Sequence, residues 1–327
     1  MSQISIDVLR QRQSLPLEAK IVMTKSKLRE FYEHMHGDLY LSYSGGKDST
    51  VLLDIVKDVY PDIPSVFCDT GLEYPEVRLL ARRKADLIIR PKMSFKEVIE
   101  RYGYPFPSKE QASYIWEYRH SDSEGLRNLR WNGDPSTRRY RISKRWRYLV
   151  YSDFEFSEKC CDVMKKHPFK AYEREHHRKP VLGNMASESL LRQQEYLKNG
   201  CNSFGAARER CTPLGFWTDQ DVLRYLKETG IEYPSCYGEI VEDETGLSTT
   251  GINRTGCMFC MFGLQYDDEP NRFQRMQKDY PKQYDYCINK LKIGEVLDYV
   301  GIPYSCEKKP PKPKRKRVVW PRRIRGK

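Results

Sequence analysis

The chain has 327 residues, a formal charge of +12 and ten cysteines. Hydrophobic residues make up 39% and charged residues 31% of it, a balance that argues against a disordered protein. No apolar run approaches the roughly 18 residues of a membrane helix, and the N-terminus lacks a signal-like apolar stretch. We therefore expect a soluble, cytoplasmic protein with no membrane partner, whose cysteines are thiols or metal ligands.

Strands alternate with helices through the first part of the chain. Apolar residues at helical spacing predict a helix over residues 17–35. Short apolar runs predict strands at residues 39–43, 64–68, 87–89 and 181–182, and helices follow the first two strands, the second of them over residues 75–84. This order is typical of a parallel α/β sheet that binds ligands at the carboxyl ends of its strands.

The later part of the chain has a different pattern. Thr218 and Asp221 form a capping-box-like start to a helix that ends near Thr229, and the remainder to Tyr304 is predicted to be mostly helical. The expected regions are an N-terminal helical segment (1–37), an α/β domain (38–215) with a basic insert (108–150), a helical C-terminal region (216–306) and a basic tail (307–327).

Most of the positive charge lies in this tail. Residues 307–327 carry eleven Lys and Arg against one Glu, a net charge of +10 that leaves +2 for the other residues. Four prolines prevent a regular helix, so we expect the tail to be disordered. Such a tail attracts phosphate backbones without sequence preference, or it serves only to keep the chain in solution.

A second basic stretch lies inside the chain, at residues 119–147. It has nine Lys and Arg against three acidic residues, interleaved with Trp131, Tyr140 and Trp146. Arginines beside aromatic rings are able to clamp phosphates and stack bases, which predicts a nucleic-acid partner. The alternative is a solvated face whose tryptophans pack into the core.

A glycine turn separates the first strand from its helix. Its residues are Ser44, Gly45, Gly46, Lys47, Asp48 and Ser49. The glycines allow N–H groups to approach an anion, and the helix, expected to begin near Ser49, adds its positive end. A plain turn is the alternative. The segment resembles the SGGxDS pyrophosphate loop (PP-loop) of the ATP-pyrophosphatase superfamily, which implies that it grips the pyrophosphate end of ATP or an equivalent anion.

Polar residues follow the second predicted strand. They are Asp69, Thr70, Gly71 and Glu73. A carboxylate at a strand end beside a nucleotide loop is able to bind ribose hydroxyls or Mg²⁺, although alone it would belong to an ordinary turn. With the Pro-Glu pair that comes next, the run resembles the DTGxxxPE segment of the phosphoadenylyl-sulfate (PAPS) reductase family. The resemblance implies an α/β PP-loop domain that binds ATP or an adenylyl sulfonucleotide.

Four cysteines form two pairs that are distant in the chain. Cys160 and Cys161 are adjacent, and Cys257 and Cys260 form a CxxC knuckle that begins 96 residues later. Adjacent cysteines chelate one tetrahedral ion awkwardly but are able to bind different irons of one cluster. A 4Fe–4S cluster is therefore favoured over structural zinc and over unligated thiols.

The helix that carries the cysteine pair also carries a cation. On a helix expected to begin near Ser157, Lys165 lies four residues after Cys161 and shares its face. An ammonium group there is able to offset the negative charge of a cluster and to reach an anionic substrate.

The resemblance to the PAPS reductase family extends over residues 38–262. The CCxxxKxxP pattern that includes Lys165 is also found in cluster-bearing adenylyl-sulfate reductases and DNA-phosphorothioation sulfurtransferases. Residues 183–192 are similar to the family's Gly-x-x-x-x-Glu-Ser-x-x-Arg stretch. This similarity implies that Arg192 lies near substrate phosphate or sulfate.

The resemblance ends before the C-terminus. Assimilatory reductases of the family carry a catalytic cysteine in a Glu-Cys-Gly-x-His segment, whereas Cys306 is followed by Glu307 and Lys308. Cys306 remains a candidate nucleophile. The other candidate catalytic residues are Lys47, Lys165 and Arg192, because adenylyl transfer requires mainly positioning and charge neutralisation.

Three functions are consistent with these features. The favoured one is ATP-dependent adenylation of an acceptor, with nucleic acid as a candidate, followed by sulfur transfer. The sulfide or persulfide would be carried by the cluster or by a free thiol such as Cys201, Cys211 or Cys306. The second is reduction of PAPS or adenylyl sulfate to sulfite with a thiol electron donor. The third is a non-catalytic, zinc-stapled protein that binds nucleotide and nucleic acid.

Overall fold

The structure, a computed structural model, describes residues 4–307, so the predicted basic tail after Glu307 lies outside the described residues. The chain folds into two compact units, each made of two chain segments. The first unit contains the chain up to Lys92 and Lys165–Cys257, and the second contains Met93–Met164 and the chain from Met258. The domain boundaries predicted from the sequence differ from these and stay predictions. Among the described residues, no helix combines the length and apolarity needed to cross a bilayer.

The strands, in chain order, are β1 (Leu39–Tyr43), β2 (Ser65–Cys68), β3 (Leu87–Ile89), β4 (Lys179–Leu182), β5 (Ile240–Asp243) and β6 (Gly246–Thr249). The α-helices are α1 (Ile6–Gln13), α2 (Leu17–His34), α3 (Lys47–Val59), α4 (Pro75–Lys84), α5 (Phe95–Tyr102), α6 (Lys109–His120), α7 (Glu124–Asn132), α8 (Lys159–Cys161), α9 (His167–His176), α10 (Leu190–Asn199), α11 (Asp219–Thr229), α12 (Arg272–Asp279), α13 (Pro281–Asp285) and α14 (Ile293–Val300). The strands predicted at residues 39–43 and 87–89 and the helix predicted over 75–84 have these bounds in the structure.

The first unit is built on four parallel strands in the order β3-β2-β1-β4. Leu39 and Leu41 of β1 pack into the large core with α2, α3 and α11. Tyr40, between them, points to the other face, where its ring centroid lies 5.0 Å from that of Tyr172 on α9. Helices therefore cover both faces of the sheet, and the predicted parallel α/β fold is confirmed.

The strand order creates a switch point beside β1. The chain builds β1, β2 and β3 in one direction and then returns to place β4 on the opposite side of β1. The connections that leave β1 and β4 at their carboxyl ends therefore diverge and open a crevice between them. In α/β sheets of this kind, ligands bind in that crevice.

A buried ion pair fixes α2 against the start of α11. Lys20 Nζ lies 2.7 Å from Asp221 Oδ1, and the lysine side chain is only 2% exposed. The same ammonium donates to the Gln13 carbonyl at 2.7 Å. Asp221 also forms the predicted capping box with Thr218, which the structure confirms. The Asp221 carboxylate therefore caps the N-terminus of α11 and also holds α2 in place through Lys20.

Aromatic residues form part of the core of the second unit, and a backbone hydrogen bond joins its two segments. Phe106 is fully buried and packs edge-on against Trp146, with 5.1 Å between ring centroids, and beside Phe156 at 6.1 Å. Gly263 N donates to the Pro107 carbonyl at 2.9 Å, which joins the later segment to the earlier one.

The helix predicted to begin near Ser157 is interrupted. α8 is followed by a π-turn at Asp162–Lys166, and α9 begins at His167. Pro168 accounts for the break, because it has no N–H to donate to the carbonyl four residues earlier. Such π-turns are rare and occur often at functional sites.

The region predicted to be mostly helical also contains a β-hairpin. β5 and β6 pair antiparallel around a two-residue turn. Asp243 Oδ1 accepts from Thr245 N at 2.7 Å, and Gly246 follows with a φ of +117°. Turn chemistry rather than apolar periodicity determines this hairpin, so the periodicity did not predict it.

We expect Lys20→Ala to lower the free energy of unfolding by about 3 kcal/mol, because it leaves the Asp221 carboxylate, only 13% exposed, without its cation. Lys25→Ala on the same helix is the matched control, since its partner Asp58 is 62% exposed and such surface pairs contribute about 0–1 kcal/mol. Urea unfolding followed by circular dichroism measures both. Equal losses in the two variants would contradict a stabilising role for the buried pair.

Candidate functional site

The loop between β1 and α3 depends on its first glycine. Gly45 has a φ of +77°, and a Cβ there would lie 2.7 Å from Ala81 Cβ and 2.8 Å from the Val77 carbonyl, both on α4. Only glycine fits so close to a neighbouring helix with this backbone conformation. Gly46 is the N-cap of α3, so the positive end of that helix lies at the loop.

Hydroxyl groups brace the loop from inside. Ser44 Oγ donates to Ser49 Oγ at 2.9 Å, and Ser49 Oγ donates to the Gly46 carbonyl at 3.0 Å. The sequence predicted that this helix begins near Ser49. In the structure α3 begins at Lys47, so Ser49 lies in its first turn. The loop is therefore shaped by its own side chains.

Lys47 is a buried cation of this loop, with 4% of its surface exposed. Its Nζ donates to Asp48 Oδ1 and to Asp219 Oδ1, each at 2.7 Å. Burial alone would lower the pKa of Lys47, but the two carboxylates outweigh burial and raise the pKa. Lys47 is therefore charged at neutral pH, and its backbone N–H donates to Tyr237 Oη at 3.2 Å.

A polar cavity of about 290 Å³ lies beside the loop, at the carboxyl ends of β1 and β4. Its charged lining consists of the cations Lys47, Lys165, Arg192 and Arg254 and the carboxylates Asp48 and Glu188. The predicted residues Ser44, Gly46 and Ser49 line the same cavity. The four cations gathered here suit an anion that carries several negative charges.

Arg192 and Arg254 share one carboxylate. Glu188 forms an ion pair with Arg192 and lies 3.3 Å from Arg254 Nη2. Burial lowers the pKa of Arg192, and the nearby charge of Arg254 lowers it further. One carboxylate between two guanidinium groups leaves a positive charge that a phosphate or sulfate is able to neutralise.

A smaller cavity of about 90 Å³ adjoins the first and shares four of its lining residues, Ser42, Ser44, Lys165 and Thr255. Its remaining walls are largely apolar or aromatic and include Tyr43, Phe67, Val77 and Phe169, together with Cys68 and Glu73. The two cavities together suit a ligand with a highly charged end and a less polar end, as a nucleotide has.

Glu73 presents an unsatisfied acceptor at the smaller cavity. Its Oε1 accepts from Thr70 Oγ1 at 2.6 Å, whereas its buried Oε2 has no hydrogen-bond partner among the described residues. An unpaired buried carboxylate oxygen is costly, so this atom is suited to accept a hydrogen bond from a ligand.

Asp69 and Gly71 shape the turn that holds Glu73. Asp69 accepts from Arg78 Nε at 2.7 Å and from Gly71 N at 3.2 Å. Burial would raise the pKa of Asp69, but Arg78 and the Gly71 N–H outweigh burial and lower the pKa. Asp69, Thr70 and Gly71 do not line either cavity. Direct binding of nucleotide or Mg²⁺ by these three residues stays a prediction.

Three of the four predicted cluster ligands belong to the second unit. Cys160 Sγ and Cys161 Sγ lie 4.0 Å apart, and Cys161 lies close enough to Cys260 to affect its pKa, which burial raises. Cys257 ends the first unit, directly after Gly256, which lines the smaller cavity.

The four predicted ligands form a donor set that is chemically compatible with an iron–sulfur cluster. Among residues 4–307, no three His, Cys, Asp or Glu side chains converge closely enough to hold one metal ion. A set made only of cysteines is also the donor set that 4Fe–4S clusters take.

Two of the predicted sulfur carriers are wrong. Cys201 and Cys211 are 4% and 0% exposed. Burial raises the pKa of Cys201 to about 12 and that of Cys211 well above its ordinary value, so neither thiol is a nucleophile at neutral pH. Cys306 is exposed, with Sγ 3.9 Å from the Gln274 carbonyl on α12, and its catalytic role stays a prediction.

The site includes residues that sequence reasoning did not select. Tyr237 Oη lies 2.7 Å from Thr255 Oγ1, and a Cβ on Gly46 would lie 3.3 Å from each of these oxygens. Arg254 and Thr255 lie three and two residues before the CxxC knuckle, and this position was a usable clue. Tyr237 lies near no motif, so only the fold reveals it.

Several proteins are similar to this chain. Two uncharacterized proteins of Methanocaldococcus jannaschii are each 22% identical over 81% and 84% of it, and the chain spans about half of their length, 44% and 53%. An adenosine 5'-phosphosulfate reductase of Staphylococcus epidermidis is 23% identical over 65% of this chain and 70% of that protein.

Two solved structures are similar to this chain at lower sequence identity. Phosphoadenylyl-sulfate reductase from Candida auris is 17% identical, with a TM-score of 0.38 over 72% of this chain and 91% of that one. The U34-tRNA thiolase NcsA from Methanococcus maripaludis, solved with its [4Fe-4S] cluster, is 13% identical, with a TM-score of 0.34 over 87% and 82%.

The family is established by a wider match. The family model for the phosphoadenosine phosphosulfate reductase domain matches residues 38–119 and 132–262, which is more than half of the chain. The matched residues include the PP-loop, the turn that holds Glu73, both cysteine pairs and the stretch with Arg192. This chain belongs to the phosphoadenosine phosphosulfate reductase domain family.

Proposed function

We propose that this protein is an ATP-dependent transferase that adenylates an acceptor and then exchanges the activated oxygen for sulfur. One observation carries the proposal. The loop cavity gathers four cations, Lys47, Lys165, Arg192 and Arg254, at the switch point of the sheet, where the carboxylates Asp48, Asp219 and Glu188 pair with three of them. This group of cations suits a polyphosphate, and the less polar walls of the adjoining cavity suit contact with part of the nucleoside.

The chemistry consists of two displacements. An acceptor oxygen attacks the α-phosphorus of ATP, a new P–O bond forms, and the bond to the bridging oxygen breaks as pyrophosphate leaves. A donor of the sulfide class then attacks the acceptor carbon, and its C–O bond breaks as AMP leaves. Neither displacement changes an oxidation state, so no reductant is consumed.

The residues divide between the two ends of the nucleotide. Lys47 and the N-terminus of α3 are expected to neutralise the leaving pyrophosphate. Lys165 lines both cavities. We therefore assign it to the α-phosphate, which joins the polyphosphate end of ATP to the nucleoside end. Arg192 and Arg254 would hold the remaining negative charge.

We propose that Cys160, Cys161, Cys257 and Cys260 hold a 4Fe–4S cluster. When bound, such a cluster supplies electron-transfer or sulfur-binding chemistry. The proposal is supported by the spacing of the four thiols in the sequence and by the interaction of Cys161 with Cys260.

Lys47→Gln should weaken binding of both ATP and inorganic pyrophosphate by about 10- to 100-fold, because a charge-assisted contact to phosphate is lost. Isothermal titration calorimetry measures both ligands. Lys198→Gln is the matched control, since Lys198 is exposed on α10, the helix that carries Arg192. Unchanged pyrophosphate affinity in Lys47→Gln would show that the loop does not bind this end.

Glu73→Ala should behave differently. If the unpaired Oε2 accepts from the ribose or the base, ATP affinity falls about tenfold while pyrophosphate affinity stays the same. Isothermal titration calorimetry with ATP and with pyrophosphate measures both affinities, and thermal unfolding checks that the turn remains folded. Weaker binding of both ATP and pyrophosphate would mean that Glu73 only supports the loop.

Cys257→Ser in anaerobically purified protein should remove most of the iron, from about four atoms per chain to near none. Cys306→Ser is the control and should keep its iron. Iron analysis and the absorbance near 400 nm measure both. A full complement of iron in Cys257→Ser would refute the ligand assignment.

Reduction of a sulfonucleotide is the second candidate, favoured by the similarity to the Staphylococcus epidermidis reductase. The anaerobic protein is assayed with adenylyl sulfate or PAPS plus thioredoxin, and separately with ATP, sulfide and candidate acceptors. Acceptor-dependent release of pyrophosphate supports the transferase. Sulfite formation that Cys306→Ser abolishes would establish the reductase instead.

A further inference from the structure

The second unit carries a basic concavity of its own. A cavity of about 670 Å³ is lined by Arg138, Arg139, Arg141 and Lys144, with Tyr114, Tyr140, Ser143 and Glu110 completing its wall. Four cations face one carboxylate. A surface of this size and charge is suited to a polyanion rather than to a small ion.

Two arginines earlier in the same basic stretch are neutralised by carboxylates. Arg119 pairs with Glu155, and Arg130 pairs with Glu117 and stacks on Tyr114, 4.2 Å from the ring centroid. By contrast, Arg138, Arg139, Arg141 and Lys144 form no ion pair with any described residue. Arg127, Arg145 and Arg147 likewise have no carboxylate partner among the described residues, but none of them lines the cavity. The four cations that do line it are therefore available to a partner.

The loop that presents the cluster is fixed at both ends. Asp134 Oδ1 accepts from Ser136 N at 3.0 Å and from Thr137 N at 2.9 Å. On the other side, Arg130 Nη1 donates to the Tyr140 carbonyl at 3.0 Å. Gln111 Nε2 donates to the Arg141 carbonyl at 3.2 Å. The backbone is held while the charged side chains remain outside.

The held backbone is also strained. Arg138 and Tyr140 have φ values of +57° and +62°, in the left-handed region that residues other than glycine adopt only at an energetic cost. The result is that Tyr140 stands 53% exposed among the cations, whereas Trp146 is buried in the core of the unit. An exposed ring beside unpaired arginines is the pairing that stacks an unpaired base and holds its phosphate.

We propose that this surface, Arg138–Lys144 with Glu110 and Tyr114, binds single-stranded RNA. The cations suit the phosphates and the ring of Tyr140 suits a base. Glu110 would repel a phosphate but accepts a hydrogen bond from a 2′-hydroxyl, the group that DNA lacks. A role for RNA in catalysis rests on the proposed transferase reaction. If that reaction is correct, RNA is the class of acceptor that is adenylated.

The test is fluorescence anisotropy of the full-length protein with a labelled 12-nucleotide RNA of mixed sequence, the same sequence as DNA, and the RNA duplex, over a range of salt concentrations. The triple variant Arg138→Ala/Arg139→Ala/Arg141→Ala should bind the RNA at least tenfold more weakly. The slope of log affinity against log salt concentration should become shallower by about 2, because each of the three lost phosphate contacts contributes about 0.7. Tyr140→Ala should weaken binding about tenfold with the slope unchanged.

A charge-matched control separates this surface from general attraction, including that of the tail. Lys278→Ala/Lys282→Ala/Lys290→Ala removes three exposed cations from the same unit, outside the cavity. This variant should bind RNA within twofold of the unaltered protein. If it loses as much affinity as the arginine variant, or if DNA binds as tightly as RNA, the proposal is wrong.

The outcome is separable from that of the proposed reaction. RNA binding that depends on Arg138, Arg139, Arg141 and Tyr140 supports the surface even when no pyrophosphate is released from ATP. Pyrophosphate release with another acceptor, together with absent RNA binding, overturns the surface and leaves the transferase in place.

Discussion

The close approach of the PP-loop to α4 is the constraint on which the site depends. Because the Gly45 backbone lies where a Cβ would touch Ala81 and Val77, the loop has little freedom in its path. That path directs the start of α3 into the crevice between β1 and β4. Every charged group of the site is then placed relative to a backbone that the sheet and α4 hold rigid.

The site keeps its cations paired with carboxylates of its own. Asp48 and Asp219 hold Lys47, and Glu188 holds Arg192 and Arg254. An arriving anion therefore replaces existing partners, so part of each new contact is offset by a contact that is lost. In return, the side chains are ordered before binding and the entropy cost of fixing them is already met.

Apolar runs and local turn chemistry were enough to predict the sheet, the helix over residues 75–84 and the capping box of Thr218, because each depends on residues near in the chain. The π-turn at Asp162–Lys166 was missed because it departs from ordinary helical spacing. Tyr237 and Arg254 reach the loop only through the tertiary fold. The burial that makes Cys201 and Cys211 inert is likewise invisible in a list of cysteines.

The order of the strands has a consequence for how the protein is made. β1 pairs with β4 in the register Leu39↔Lys179, across about 140 residues of intervening chain. During synthesis from the N-terminus, β1, β2 and β3 are complete long before β4 exists, and the edge of β1 has no strand to pair with until then. Pairing over such a separation is entropically costly and slow. The crevice that would receive the nucleotide is therefore among the last features of the first unit to form.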